Sequence, residues 1–163
     1  MKTTILKMLF IAIALLLTTI TSSAKSLPSF SALWSNYPAD NSDGSHAKPS
    51  SDSYAYNQCA IRMSVALIGA GVSLKTYPKV NKTTEGFARS SKGLADWLWK
   101  NYGRPTIMKQ ADFDKIRSKT TGIYFQYTKP TQANPNPVNH IDLNNKGSHH
   151  GYYLSDDIWY WEL

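Results

Sequence analysis

The stretch from Tyr54 to Ile68, Tyr-Ala-Tyr-Asn-Gln-Cys-Ala-Ile-Arg-Met-Ser-Val-Ala-Leu-Ile, holds the single cysteine of the chain where a polar loop gives way to an apolar helix. Asn57 is a good N-cap, which puts Cys59 in the first helical turn. There, unpaired backbone N–H groups and the positive end of the helix dipole favour a thiolate over a thiol. Met63, Ala66, Leu67 and Ala70, with Ile61, Val65 and Ile68 on neighbouring faces, make the helix apolar nearly all round, as a central buried helix is, and Gly69 and Gly71 close it. Cys59 is thus either a nucleophile or a small buried hydrophobe at the start of a core helix.

On the N-terminal side, Ala39 to Ser53 is rich in Asp, Asn, Ser, Gly, Pro and Lys without apolar periodicity, and reads as a surface loop. Before it, Phe30, Leu33, Trp34 and Tyr37 recur at helical spacing, and Pro38 ends that short amphipathic helix. Residues 1–24 read as a cleavable Sec-type export signal: Lys2 and Lys7, the apolar run Met8 to Leu17, then Ser22 and Ala24 at signal-peptidase spacing. The run is too short for a membrane span, which needs roughly 20 residues. The expectation is a secreted or periplasmic protein, one domain over residues 25–163, with no stable membrane anchor after cleavage. Removing Lys2 and Lys7 from the formal charge of +7 leaves +5. That excess suits an anionic cell wall or plain solubility, and export argues against nucleic acid as partner. A lone cysteine forms no internal disulfide in the oxidising compartment to which export leads.

On the C-terminal side, Ser73 to Arg89 carries turn signals and no clear period. Ser90 or Ser91 caps a helix over Lys92 to Tyr102, and a short helix is expected over Asp112 to Lys119. After Gly122 the period changes to two. Strands are expected over 123–127 and 139–143, a hairpin turn at Asn144 to Gly147, a return strand over 148–154 and a final aromatic strand over 158–163, with Trp159 and Trp161 on its core face. Helices followed by an antiparallel sheet give an α+β fold.

His140 begins the strand after a long Pro/Asn-rich connection, and Asp142 lies two residues on, on the same face. A cysteine at a helix N-terminus facing a strand histidine is the arrangement that a papain-like hydrolase uses, with the imidazole taking the thiol proton and returning it to the leaving amine. Folding the hairpin brings His149 or His150 beside Asp142, according to whether the turn carries a bulge. One of them orients His140 in this reading.

The segments Asn57-Gln58-Cys59-Ala60-Ile61-Arg62-Met63-Ser64, Asn139-His140-Ile141-Asp142-Leu143 and Ile158-Trp159-Tyr160-Trp161 resemble the type VI secretion amidase effector 4 family, papain-like relatives of the NlpC/P60 peptidases. The resemblance runs from Phe30 to the last residue. It implies hydrolysis of the γ-D-glutamyl–diaminopimelate amide of peptidoglycan stem peptides, with Cys59 as nucleophile and His140 as base. It also implies a cognate periplasmic immunity protein as partner. Two departures accompany it: effectors of this family normally lack an export signal, and they carry an acidic third residue where this chain reads Ser148-His149-His150-Gly151. The orienting group is then a histidine or Asp142.

The Cys59 backbone N–H points at the developing oxyanion, and Asn57, Gln58 or Tyr56 is the candidate second donor, worth roughly 3 kcal/mol of barrier. Arg62 either pairs with a stem-peptide carboxylate or braces its helix against an acid. His140, Asp142, His149 and His150 are also metal-ligating types, but no helical His-Glu motif accompanies them and no cofactor is expected. Two rival functions use the same residues: a non-catalytic wall-binding module with Cys59 buried, or a Cys-His transamidase or deamidase.

Overall fold

The computed structural model describes residues 25–40, 42, 48–49, 58–149 and 151–163. The export signal, Asn57, Tyr56 and His150 therefore lie outside the described residues, as does most of the loop read over 39–53.

Helix α1, Phe30–Asn36, is capped by Ser29, whose Oγ accepts the Ala32 N–H at 3.3 Å, and it buries Leu33 completely. Full burial of one leucine contributes about 2 kcal/mol. The helix stops at Tyr37, whose extended backbone (φ −72°, ψ 129°) is what a following proline imposes. Helix α2, Cys59–Gly69, buries Ala60, Ile61, Arg62, Met63, Ser64, Ala66 and Leu67, matching the nearly all-round apolar pattern. It ends in a Schellman motif: Gly71 sits at φ +89°, its N–H reaches Ile68 O (2.9 Å), and the Val72 N–H reaches Leu67 O (2.8 Å). Gly69 is needed for another reason, because a Cβ there would lie 2.4 Å from the Asn36 side chain where α1 crosses α2.

The stretch 73–89 holds two 3-10 turns, Leu74–Thr76 and Lys79–Asn81, and an isolated bridge between Lys82 and Ala88. Ser64 ties it to α2, its hydroxyl donating to Ala60 O (2.7 Å) and accepting the Ala88 N–H (3.0 Å). Helix α3 runs Ser91–Tyr102 with Ser90 as cap. Strand β1, Thr106–Met108, has too few residues to show a period in the sequence. Helix α4 is Gln110–Ile116, earlier than the span expected for it.

Strands β2 (Thr121–Tyr127), β3 (His140–Asn145) and β4 (Asp157–Glu162) complete an antiparallel sheet of order β1-β4-β2-β3. The α+β expectation holds. Alternation sorts the sheet into two faces. Ile123, Phe125, Ile141, Leu143, Trp159 and Trp161 pack under the helices with Leu33, Met63, Leu67, Leu94 and Leu98. Tyr124, Ile158 and Tyr160 pack with Phe113 of α4 on the other face.

Among the described residues, the return strand expected over 148–154 does not form. Lys146 (φ 50°) and Gly147 (φ 92°) make a two-residue turn, and Asn145 and Ser148 exchange both backbone hydrogen bonds (2.8 and 2.9 Å), but the ladder ends with that pair. Side chains take over the backbone groups of the segment beyond. Tyr124 Oη donates to Gly151 O, Gln126 Nε2 donates to Tyr153 O, and Gln126 Oε1 accepts the Tyr153 N–H (3.0 Å). Gln110 Oε1 accepts the Ser155 N–H (2.7 Å). Residues 151–155 are thus an irregular strap rather than a strand, and β3 is an edge of the sheet.

Candidate active site

An edge strand exposes alternate N–H groups, and β3 covers each of its own differently. The Asn145 N–H is taken by Ser148 O, and the Leu143 N–H by Asp142 Oδ1 at 2.7 Å. The Ile141 N–H goes to the Cys59 sulfur. Helix α2 begins at this edge, so its first residue meets the start of β3. The N-cap is Gln58 (φ −69°, ψ −9°), half-buried and without a side-chain cap bond, so the position expected of Asn57 falls one residue later.

His140 and Asp142 project from the α4 face of β3 and are 8% and 0% exposed. His140 Nε2 lies 3.5 Å from Asp142 Oδ2, and the His140 side chain is also hydrogen-bonded to Cys59. With Nε2 turned to the carboxylate, Nδ1 is the nitrogen left for the thiol. Gly151 lets the strap pass close over the ring: a Cβ there would be 3.0 Å from both His140 Cε1 and Nε2. Tyr153, clamped by Gln126, packs edge-on against the imidazole with centroids 5.1 Å apart.

Burial pushes the Cys59 thiol up, but the hydrogen bond and charge of His140, with the Ile141 and Ala60 backbone, outweigh it and hold the thiol below its ordinary value. Burial pulls His140 down, but Asp142 and Cys59 raise it to about 9. Burial likewise pushes Asp142 up, while His140, Tyr37 and the Leu143 N–H hold it below the usual carboxylate range. The three groups favour a thiolate, an imidazolium and a carboxylate together. Such a set attacks an electrophilic carbonyl and donates a proton to what leaves.

The remaining sequence candidates fall elsewhere. The His149 ring packs against Tyr152 and Tyr124, with centroids 5.2 and 6.5 Å away. The turn pairs Asn145 with Ser148 without a bulge, so continuing its register would put Gly151, not a histidine, opposite Asp142. Arg62 is 3% exposed and committed to the protein: its Nη2 donates to Pro38 O (2.9 Å) and Asp40 Oδ1 (2.8 Å), the bracing alternative. Tyr37, read from its spacing as a core aromatic, is buried in the core and in addition hydrogen-bonds Asp142, and Gln126 and Gly151 bear on His140. No sequence signal marks any of the three, since each contact joins residues far apart in the chain. Among the described residues, no three His, Cys, Asp or Glu side chains are arranged to hold a metal ion.

The family model for the type VI secretion system amidase effector protein 4 matches residues 55–161, a span containing Cys59, His140 and Asp142. No curated protein matches the chain. The matched span is well over half of the sequence, and its α+β architecture is consistent with the papain-like fold of that family. The chain therefore belongs to the type VI secretion amidase effector 4 family, whose members are amidases acting on peptidoglycan.

Proposed function

We propose that this protein hydrolyses the γ-D-glutamyl–diaminopimelate amide of peptidoglycan stem peptides, with Cys59 as nucleophile, His140 as acid and base, and Asp142 as the group that orients His140. The observation that carries the reading is the convergence of a helix-start thiol, an imidazole and a fully buried carboxylate at the open edge of β3. The Cys59 thiolate attacks the amide carbonyl, and the oxyanion takes the Cys59 backbone N–H, one of the N-terminal donors a helix leaves unpaired. Collapse breaks the C–N bond as imidazolium Nδ1 gives its proton to the diaminopimelate amine. Water, deprotonated by the neutral imidazole, then attacks the thioester, releasing the glutamyl carboxylate and restoring the ion pair. Arg62 acts in this scheme as a brace, not as a ligand for substrate.

The test incubates residues 25–163 with Gram-negative sacculi and with a defined stem tetrapeptide, alongside Cys59→Ala, and identifies products by mass spectrometry. A cut between D-glutamate and diaminopimelate that Cys59→Ala abolishes supports the assignment. Binding of sacculi by both proteins without cutting overturns it in favour of a wall-binding module. Transfer of the acyl group to an added amine marks a transamidase.

Residues 1–24 act, in the same proposal, as a cleavable export signal that places the enzyme in the periplasm, where a cognate immunity protein occludes the cleft. N-terminal sequencing of the exported chain checks the first point, and a start other than near Lys25 refutes it. Co-purification from the periplasm checks the second.

A further inference from the structure

Tyr37 stands at the end of α1, held extended by Pro38, and its ring is buried at 8% exposure. Its hydroxyl donates to the Asp142 carboxylate. The Arg62 guanidinium lies 4.8 Å over the ring, itself fixed by Pro38 O and Asp40. Asp142 is therefore met by the Leu143 N–H on Oδ1 and by the Tyr37 hydroxyl, with His140 Nε2 3.5 Å from Oδ2. At 3.5 Å the contact with His140 is too long to hold the carboxylate, whereas the Leu143 N–H meets it at 2.7 Å, so donors other than His140 govern which way it points. Among the described residues, Cys59, Tyr124, Tyr153 against the His140 ring and Tyr152 beside Tyr124 are the other titratable groups facing this cluster.

We propose that Tyr37 is a positioning residue of the amidase reaction: from α1 it fixes the Asp142 carboxylate against His140, and Arg62, stacked on its ring and pinned to Asp40, fixes Tyr37. This rests on the reading of Cys59 and His140 as the reacting pair. It extends the site to a line Asp40–Arg62–Tyr37–Asp142–His140–Cys59, running from a partly exposed loop carboxylate to the thiol. Burial and the Asp142 charge hold the Tyr37 hydroxyl protonated far into the alkaline range, so it remains a donor throughout the working pH. A buried carboxylate with no such donor is harder to keep ionised.

The experiment compares Tyr37→Phe with the wild type in two readouts: hydrolysis of the stem tetrapeptide, and the pH dependence of Cys59 alkylation by iodoacetamide. The ring and its stack on Arg62 are kept, and one hydrogen bond to a charged group is lost, so kcat should fall about 10-fold while KM stays within about two-fold. The acid limb of alkylation should move to higher pH, because a carboxylate no longer held against His140 stabilises the imidazolium less, and with it the thiolate paired to that imidazolium. Unchanged kcat and an unchanged alkylation profile overturn the proposal, including where the melting temperature drops, which marks a packing role. If Tyr37→Phe does not fold, Arg62→Lys decides instead: it keeps the charge and the hydroxyl but loses the planar stack, and kcat must fall with KM unchanged. If the wild type leaves the tetrapeptide uncut, the substrate assignment fails while alkylation still reports on Tyr37. Alkylation unaffected by His140→Ala removes the reacting pair itself.

Discussion

Replacing Asp142 by asparagine should disable His140 by fixing the wrong tautomer. Oδ1 accepts the Leu143 N–H at 2.7 Å, so the single oxygen of an asparagine stays there. Its amide nitrogen then occupies the place of Oδ2, 3.5 Å from His140 Nε2, and donates to it. The imidazole is left carrying its proton on Nδ1, the nitrogen that must accept from the thiol. The electrostatic loss adds to this. His140 is raised from 6.5 to about 9 by Asp142 and Cys59 together, which is about 3 kcal/mol of preference for the imidazolium. Losing even half of it costs on the order of 10-fold, and the tautomer fault brings the expected fall in kcat/KM at pH 7 to on the order of 10³. The assay is tetrapeptide hydrolysis from pH 5 to 10, with a thermal melt to establish folding. A folded Asp142→Asn enzyme retaining more than about a tenth of wild-type kcat/KM would refute the assignment of Asp142 as orienting group.

Three further outcomes follow from the geometry. The wild-type pH profile of kcat/KM should be a bell: its alkaline limb lies near 9, where the imidazolium loses its proton, and its acid limb lies below the ordinary thiol value, because the Cys59 thiolate persists there. A profile that climbs steadily through pH 9 contradicts the ion pair. Gly151→Ala introduces a methyl 3.0 Å from His140 Cε1 and Nε2 and 3.2 Å from Tyr153, so the ring must shift by a few tenths of an ångström. Activity should drop roughly 10-fold or more with little change in melting temperature, and wild-type kinetics would show that the strap gives way instead. Gly71→Ala places a side chain at φ +89° in open space. It should cost about 1 kcal/mol in urea unfolding without touching kcat, and a loss of activity at full stability would be inconsistent with a purely helix-ending role.

The local pattern of the chain determined the elements and much of the site's composition. The period of the run from Cys59 to Ile68, the serine cap before α3 and the two-residue period after Gly122 each express a preference that a short segment holds by itself. They are enough to give an α+β fold with one thiol at a helix start and one histidine at a strand start. Strand β1 is beyond such reasoning because three residues show no period, and its pairing with β4 joins residues some fifty positions apart. The strap over 151–155 reads wrongly as a strand because its sequence suits one. Gln126, Gln110 and Tyr124, all distant in the chain, satisfy its backbone, so no ladder with β3 is needed.

The same distinction divides the site. Asp142 can be named from its place two residues after His140, but proposing it over the neighbouring histidines draws on the turn register and on the end of the ladder at Ser148. Arg62 reads as a brace or as a ligand for substrate, and only the fold names the Pro38 carbonyl and Asp40 as the groups it braces against. Tyr37 lies at core spacing in the first helix, and no rule of periodicity separates a tyrosine that only packs from one whose hydroxyl reaches a buried carboxylate 105 positions later. Sequence sets which groups are available. Only folding decides which of them lose water together, and it is that shared burial which turns an ordinary thiol, imidazole and carboxylate into one coupled set.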